Sequence, residues 1–413
     1  MCIPEGHNCQ ILAPEIYQPS KSVGEIINDA LSNPIGSPGL PELTKAVKRI
    51  LIITNDNTRS MHSQITIPAI IDAFYYPEDR YDITILIATG LHRPMTRDEI
   101  QEQFGEEIFL KYRIVNHNAK DEANLISFGK MSTGNELFLN KLVAESDLAI
   151  AEGFIEPHFF AGFSGGRKSI MPGVAGESTI LTNHRPENIA NLYARQAVLD
   201  GNPVHDEFLE AVRLSGLKFI LNVAYDKDKQ ILRAFAGDPV EAHLEGCRFV
   251  EKTMSVACDP ADIVVTSNNG YPLDRNLYQI VKGVDTAAKI VKEGGVIVVV
   301  ARCEDQVGHE HFKNLILSCS TVDELCEKTS LPSSETDKWQ VQILARILAR
   351  NRVILVSEGI DRELAERMFF TYAATLDEAM GIALSAVKRD ASICVIPDGP
   401  VIIPELKGRC HTV

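Results

Sequence analysis

The amino-acid sequence predicts an α/β protein of two domains, each a mostly parallel sheet with flanking helices. Short runs of β-branched and apolar residues alternate with longer segments of helical spacing, which is the pattern of such sheets. The alternation breaks once beyond the middle of the 413-residue chain and then begins again. A chain of this length accommodates two or three domains. We therefore expect two α/β domains, with the active site in the cleft between them.

The first domain begins with four predicted strands, three of them near-continuous apolar runs typical of parallel strands covered on both faces. They are RILIITND (49–56), DITILIATG (82–90), RIVNHNA (113–119) and DLAIAEGF (147–154). Residues 219–238 have two apolar runs around a polar DKDK turn, which predicts a hairpin. A helix follows over 239–257, with Asp238 as its N-cap and Pro239 in its first turn.

The alternation of strands and helices resumes near residue 259. Strands are predicted at 262–270, 294–302, 352–357 and 392–399, and helices at 275–293, 341–351 and 375–390. Because the hairpin and helix before residue 258 interrupt the pattern, the predicted domains are residues 1–258 and residues 259–413.

Composition excludes several classes of protein. The net charge is −15, from 56 acidic and 41 basic residues, so the chain is a poor candidate for nucleic-acid binding, which needs clustered Lys and Arg. Nine cysteines without a C-x-x-C pair argue against a disulfide scaffold and a zinc ribbon. We see no secretory signal and no apolar stretch of about 18 residues, so we expect a cytoplasmic protein without a membrane span.

Polar residues follow four of the predicted strands, where ligands bind in open α/β sheets. They are Asp56 to Arg59, His92 with Arg93, His158, and Asn268 with Asn269, and the helix after the last of these strands carries Gln279 and Lys282. Each has a plainer interpretation, since Asp56 could cap a helix and the others could face solvent. The motif HEH (309–311) lies in a polar stretch, which favours solvent-exposed histidines.

The stretch EGFIEPHFFAGFSGGRKSIMPG (152–173) is close to a phosphate-binding loop but departs from it. The pattern G-x-x-x-x-G-K-[ST] needs a glycine directly before the lysine, and Arg167 stands there. A kinase or hydrolase that uses SGGRKS (164–169) as an atypical phosphate loop is the alternative function. A glycine turn that binds any anion, or a zinc site of His158 and His184, stays open, although no third zinc ligand lies at short spacing.

Five segments together resemble the lactate racemase family, whose members use a nickel-pincer nucleotide. They are DNTR (56–59), ATGLHRPMT (88–96), PHFFAGFSGGRKSIMPG (157–173), NHRPEN (183–188) and YQIVKG (278–283). The long central segment is highly specific, whereas DNTR or YQIVKG alone would be weak. The order and separations of the segments fit across most of the chain.

The resemblance implies a racemase or epimerase that inverts C2 of lactate or a related 2-hydroxy acid. It implies reversible, proton-coupled hydride transfer to a covalently held nickel-pincer nucleotide. Lys168 resembles the lysine that holds this cofactor through a thioamide, and His184 resembles the one protein ligand to nickel. His92 and His158 resemble the two acid/base histidines. The enzymes that make the cofactor are then partners in maturation.

The resemblance also implies different roles for the two predicted domains. The residues that resemble the nucleotide-contacting segment are Asp56, Asn57, Thr58 and Arg59, and Arg59 is also expected near the substrate. Gln279 and Lys282 resemble substrate-binding residues. Residues 1–258 are therefore expected to hold the cofactor and to catalyse, while residues 259–413 contribute substrate-binding groups. The family also has a tryptophan in the region of Trp339, for which helix packing is the alternative.

The residue types suit this chemistry on their own. Hydrogen that leaves C2 as hydride needs an acceptor that no side chain supplies. The hydroxyl proton suits histidine, whose unperturbed pKa is about 6.5, and two histidines serve two enantiomers. Arg59 has a fork for the substrate carboxylate, Lys282 adds a charge, and Gln279 offers a neutral hydrogen bond. A protein that only binds its ligand would not need the histidine pair.

Overall fold

Two six-stranded sheets form the framework of the chain, which confirms the predicted α/β class. The structure, a computed structural model, describes residues 7–14, 17–59, 61–333 and 335–408, with only the backbone of Arg59. Within these ranges, no helix combines the length and apolar character needed to cross a bilayer.

The first sheet is parallel except at one edge, where a hairpin lies. Its strands, in spatial order, are Ile231–Gly237, Phe219–Tyr225, Leu148–Phe154, Arg49–Asn55, Asp82–Ala88 and Arg113–Asn116. The first two pair antiparallel, as predicted, and the other neighbours pair parallel. Ile50 to Ile53 and Ile85 to Ile87 are almost wholly buried, because helices cover both faces of the central strands.

The second sheet is parallel throughout. Its strands, in spatial order, are Cys9–Ile11, Ile393–Ile396, Ala261–Ser267, Val291–Val300, Arg352–Val356 and Thr371–Ala373. The edge strand Cys9–Ile11 comes from the beginning of the chain and pairs with Ile393–Ile396. The strand Cys9–Ile11 has only three residues, too few for an alternating or apolar pattern to predict it. The domain division at 258/259 stays a prediction.

Within the described residues, three separate two-stranded sheets accompany the two large ones. They are Ser255–Cys258 with Ile403–Leu406, Leu125–Lys130 with Glu136–Asn140, and Pro157–His158 with Gly162–Phe163. Asp238 accepts hydrogen bonds from the backbone N–H groups of Val240 and Glu241 at 2.8 and 3.0 Å, so it caps the helix that follows the hairpin.

The helices lie on both faces of the two sheets and between them. In the first part of the chain they are Val23–Ser32, Leu40–Thr44, Ser63–Asp72, Arg97–Lys111, Leu142–Glu145, Glu177–Asn183, Pro186–Ala190, Pro203–Ser215 and Glu241–Met254. In the second part they are Leu277–Ala288, Glu310–Leu317, Val322–Ser330, Lys338–Leu348, Arg362–Arg367 and Leu376–Ala386. One large apolar core includes residues of both parts of the chain, so the two parts pack directly against each other.

Candidate active site

A cavity of about 600 Å³ lies where the carboxyl ends of the first sheet face helices of the second part of the chain. Its lining includes most of the residues that the sequence singles out: Asp56, Asn57, Thr58, His92, His158, Lys168, His184, Gln279, Lys282 and Trp339. The side chain of Arg59 lies outside the described residues; its backbone belongs to the turn Asn57–Arg59. The structure thus gathers residues separated by up to 283 positions around one pocket.

Asp56 and His92 form a hydrogen-bonded pair at the ends of neighbouring strands. The carboxylate Oδ2 lies 2.7 Å from Nδ1 of His92, and Asp56 is buried while about a third of the His92 side chain is exposed. The other carboxylate oxygen accepts hydrogen bonds from the backbone N–H and the hydroxyl of Thr58, at 3.1 and 2.6 Å. Asp56 therefore caps a turn, as its plainer interpretation suggests, and also holds His92, which the sequence did not predict. With Nδ1–H donated to Asp56, proton exchange at His92 is left to Nε2.

The orientation of the His158 ring is set by the short hairpin in which the residue lies. It lies in the two-residue strand Pro157–His158, which pairs with Gly162–Phe163. Its Nδ1 accepts a hydrogen bond from the backbone N–H of Ala161 at 3.2 Å, and the ring packs edge-on against Phe160 with centroids 4.6 Å apart. Because Nδ1 accepts, the neutral ring carries its proton on Nε2.

The glycines before Lys168 permit a turn that no other residue could form. Gly165 and Gly166 have φ of +75° and +51°. A Cβ on Gly166 would lie 2.6 Å from the ring of His243, and one on Gly165 would lie 2.8 Å from the side chain of Asn222. The N–H of Gly166 donates to Asn222 at 2.7 Å. That donor is therefore satisfied within the protein and is not directed at a ligand phosphate.

Lys168 and His184 lie together in the buried part of the pocket. The ammonium of Lys168 is 5.8 Å from the ring centre of Phe160 and 5.7 Å from that of Phe208. Burial, together with the nearby charge of Lys168, lowers the pKa of His184 to about 3. The ring of His184 is therefore neutral at pH 7 and can offer a nitrogen lone pair.

The surroundings of His184 set its orientation. Its Nδ1 is 2.9 Å from Oδ1 of Asn183, whose amide nitrogen donates to Glu207 at 2.9 Å. The ring also packs edge-on against Trp339, with centroids 4.9 Å apart. With Nδ1–H donated to Asn183, Nε2 is the atom that could ligate a metal. Among the described residues, no group of three or more His, Cys, Asp or Glu side chains could hold a metal ion.

Helix Leu277–Ala288, one of several segments that the second part of the chain contributes to the pocket, carries an unsatisfied amide oxygen. Helix Leu277–Ala288 is capped by Asn276, whose side chain accepts from the N–H of Gln279 at 3.0 Å. Gln279 and Lys282 are three residues apart and share a face. Oε1 of Gln279 is buried and has no hydrogen-bond partner within the described part of the chain. A buried oxygen of this kind is costly unless a ligand supplies a donor.

Sequence reasoning overlooked several residues of the pocket. His309 was expected in solvent but lines the cavity, with its ring stacked on Tyr278 at 3.8 Å and its Nδ1 3.1 Å from Asp337. That expectation was wrong because its partner Asp337 lies 28 residues away in the sequence, where no local pattern links the two. Asn276 was also missed, although an Asn before an apolar helix is a recognisable N-cap.

Comparisons with known proteins agree on one family. Residues 1–196 match the family described as the lactate racemase N-terminal domain, and residues 256–403 match the lactate racemase C-terminal domain. Lactate racemases of Thermoanaerobacterium thermosaccharolyticum and Lactiplantibacillus plantarum are 45% and 41% identical to this chain over 390 residues. Each match covers 94% of this chain and 92% of the relative.

Solved structures show the same likeness. The lactate racemase apoprotein of Thermoanaerobacterium thermosaccharolyticum has a TM-score of 0.94 at 43% identity, over 98% of this chain and 97% of its own. A Thermotoga maritima protein, with a TM-score of 0.69 at 17% identity over 95% and 100% of the two chains, shares the fold alone.

A two-layer α/β fold with a polar pocket between its layers defines an enzyme of the isomerase class here, since the matched relatives are racemases. The chain belongs to the lactate racemase family.

Proposed function

We propose that the protein racemises lactate or a closely related 2-hydroxy acid by reversible, proton-coupled hydride transfer to a nickel-pincer nucleotide. One observation carries the proposal: a single pocket holds two histidines on separate strand ends, a lysine and a neutral histidine in its buried part, and an unsatisfied glutamine oxygen. The names of the 45% and 41% identical relatives support lactate as the first substrate to test.

The residues in the pocket fit the proposed cofactor. A nickel ion whose other donors are sulfur and carbon needs one protein nitrogen, and His184 is neutral with its Nε2 left for a metal. Lys168 has the primary amine required for a thioamide, and the left-handed glycines before it allow the tight turn after which Lys168 lines the pocket. A cavity of about 600 Å³ is within the usual range for cofactor sites.

In this proposal Lys168 holds the cofactor covalently and His184 ligates its nickel. The segment that contacts the nucleotide is Asp56, Asn57, Thr58 and Arg59. When bound, the cofactor supplies the reversible hydride acceptor that side chains lack. The enzymes that make it are then required for maturation. Residues 1–258 form the cofactor-holding and catalytic domain, and residues 259–413 contribute substrate-binding groups.

The substrate is oriented by groups from both parts of the chain. Arg59 grips its carboxylate and Lys282 adds a positive charge. Gln279, whose Oε1 has no partner within the described residues, offers a neutral hydrogen bond to the bound substrate. With the substrate fixed in this way, the C2–H bond is directed toward the acceptor during each half of the reaction.

The two histidines move the hydroxyl proton. Nε2 of His92 takes it from one enantiomer while Asp56 accepts from Nδ1 and stabilises the charged ring. His158 serves the other enantiomer. Because its neutral ring carries a proton on Nε2, the substrate proton goes to Nδ1, which then gives up the hydrogen bond from the N–H of Ala161. Once the proton has left the hydroxyl oxygen and the hydride has left C2, the planar keto acid can receive hydride on either face, so both enantiomers would form.

The test uses protein produced together with the cofactor-making enzymes. Mass spectrometry should find the cofactor's mass on Lys168, and chiral chromatography should show lactate racemisation. We expect His92→Ala and His158→Ala each to lower kcat by about 100-fold or more, since general acid–base groups contribute at least that much.

Lys168→Arg is the matched control for the covalent attachment, because it keeps the charge but cannot form a thioamide. It should lose both the adduct and the activity. An active preparation with unmodified Lys168 contradicts the attachment, and full activity in either histidine variant contradicts the two-histidine mechanism.

The kinase or hydrolase alternative receives no support from the geometry of SGGRKS (164–169). The N–H of Gly166 is donated to Asn222, and the guanidinium of Arg167 contacts His205 and His243 in the protein interior. The absence of nucleic-acid and membrane partners and a location in the cytoplasm stay predictions from the sequence.

A further inference from the structure

A second Asp–His pair lies in the pocket and has no role in the proposed reaction. Nδ1 of His309 is 3.1 Å from Oδ2 of Asp337, whose side chain is only 6% exposed. Both residues line the same cavity as His92 and His158. The pair comes from the second part of the chain, whereas Asp56 and His92 come from the first part.

His309 is stacked flat on an aromatic side chain of the pocket wall. Its ring lies 3.8 Å from that of Tyr278, with an angle of 6° between the ring planes. Phe312, three residues further along, packs edge-on against the same tyrosine with centroids 5.5 Å apart. The carboxylate of Asp337 fixes the direction of the imidazole, and the imidazole in turn fixes the plane of the phenol.

Tyr278 is placed where it can set the shape of the substrate site. It directly precedes Gln279 and lies four residues before Lys282, so it shares a helix face with that lysine. Its ring is largely buried and lines the cavity. Its backbone carbonyl accepts a hydrogen bond from Gln340 at 2.6 Å, which ties the start of this helix to helix Lys338–Leu348.

Asp337 also lies next to the helix that contacts His184. It directly precedes helix Lys338–Leu348 and adopts a left-handed backbone with φ of +65°, a conformation that Asp tolerates better than most residues. The same helix carries Trp339, which packs on His184. Asp337 therefore holds the histidine stacked on Tyr278 and directly precedes the helix whose Trp339 contacts His184.

We propose that the Asp337–His309 pair is a specificity-determining element, which holds the ring of Tyr278 as a wall beside Gln279 and so limits the group on C2 of the substrate to a small one. The inference rests on the proposed function, because it concerns the same substrate. His309 is a positioning residue here, since it acts through Tyr278.

The experiment compares kcat/KM for lactate with kcat/KM for 2-hydroxybutyrate, which has one more methylene, in cofactor-loaded protein. His309→Gln removes the ring, and the ratio should fall about tenfold, because one methylene in a fitted pocket is worth at least about that much. KM for lactate should rise more than kcat falls. His309→Phe keeps a ring to stack on Tyr278 but loses the hydrogen bond to Asp337, so its ratio should fall by about threefold, less than in His309→Gln.

His311→Gln is the matched control, because His311 lines the same cavity, is exposed, and stacks on no ring within the described ranges. Asp337→Asn tests the partner in a second, conservative variant, since Asn also tolerates a left-handed backbone. We expect its ratio to fall about threefold. Circular dichroism and thermal unfolding of each variant identify any that do not fold.

An unchanged ratio in folded His309→Gln, or in folded Asp337→Asn, overturns the inference, as does an equal change in His311→Gln. A wild type that is active on lactate while these variants keep its ratio overturns this inference alone. A loaded wild type inert toward every 2-hydroxy acid overturns the proposed function and the inference with it.

Discussion

Arg167 is the largest side chain that the structure buries completely. Its guanidinium donates to Nδ1 of His205 and Nε2 of His243, both at 2.8 Å, and to the carbonyl oxygen of Ala161 at 2.7 Å. Within the described residues no carboxylate lies at ion-pair distance. Burial lowers the pKa of Arg167 to about 10, so the group is still charged at pH 7. The buried charge of Arg167 is therefore stabilised by neutral hydrogen-bond acceptors, although a buried charge without a charged partner is usually costly.

We expect Arg167→Met to lower the free energy of unfolding by about 3 kcal/mol. The substitution keeps much of the volume but leaves the acceptors on His205 and Ala161 without a donor, at about 1–3 kcal/mol each. Nε2 of His243 can instead donate to the carbonyl of Ser164, 2.9 Å away, and removal of a buried charge offsets part of the loss. Urea unfolding measures the change. Arg213→Met, at an exposed position on helix Pro203–Ser215, should change stability by less than about 0.5 kcal/mol. If Arg167→Met is as stable as the wild type, the buried charge costs as much as its hydrogen bonds contribute.

At the residue scale, the sequence can identify which side chains come together at the pocket, but not which hydrogen-bond partners fix buried polar groups. The polar residues at strand ends were predictable, because carboxyl ends of parallel strands meet at one edge. Glu152 was not, since it sits inside the apolar run DLAIAEGF and is wholly buried. It accepts hydrogen bonds from Thr54, Ser63 and Thr66, which are 86 to 98 residues away. Such partners are set by tertiary packing, which no local pattern encodes.

Helix Leu277–Ala288 shows how one cap positions the face that carries the proposed substrate-binding residues Gln279 and Lys282. Asn276 is buried, and its side chain accepts from the N–H of Gln279 in the first turn. Gly308, with φ of +85°, packs so closely on Asn276 that a Cβ there would lie 2.3 Å from the amide. The cap and the glycine together fix where the first turn begins.

We expect Asn276→Ala to lower the free energy of unfolding by about 1 kcal/mol, the usual loss for an N-cap, and to raise KM more than it lowers kcat. KM should rise because the first turn of this helix carries Gln279, a proposed substrate-binding residue, and the turn is less well fixed without its cap. Asn276→Asp keeps an acceptor and should retain most of both properties. Thr321→Ala removes the cap of helix Val322–Ser330, whose residues do not line the described pocket, so it should lose similar stability with an unchanged KM. Equal KM values in Asn276→Ala and Thr321→Ala contradict this account.

At the element scale, periodicity predicted the long strands and the hairpin, and failed for short pieces. Ile231–Gly237 and Phe219–Tyr225 pair as the DKDK turn indicates. Cys9–Ile11 spans three residues, too few for a pattern, and it joins the second sheet only because Ile393–Ile396 offers an edge 384 residues later. Pro157–His158 is shorter still, so the sequence could place His158 near a strand end but could not show the turn that fixes its ring.

At the scale of the whole molecule, the neutral interior histidines link stability to pH. His117 and His205 are almost completely buried. Burial lowers the pKa of His117 to about 4, and burial with the charge of Arg167 lowers that of His205 to about 3. In the unfolded chain both have a pKa near about 6.5. Below that pH the unfolded state binds protons that the folded state does not, so stability falls as the pH falls.

We therefore expect the free energy of unfolding to decrease by about 2 kcal/mol from these two histidines between pH 6.5 and 5.5, roughly 1 kcal/mol each. Glu152, whose pKa burial raises, opposes the trend, so a variant isolates the effect better than the wild type alone. His117→Gln keeps a donor for the carbonyl of Ala175, which His117 contacts at 2.9 Å, but does not titrate. Urea unfolding of both proteins at the two pH values should show about 1 kcal/mol less pH-dependent loss in the variant. Equal losses in both would mean that His117 takes up no proton on unfolding.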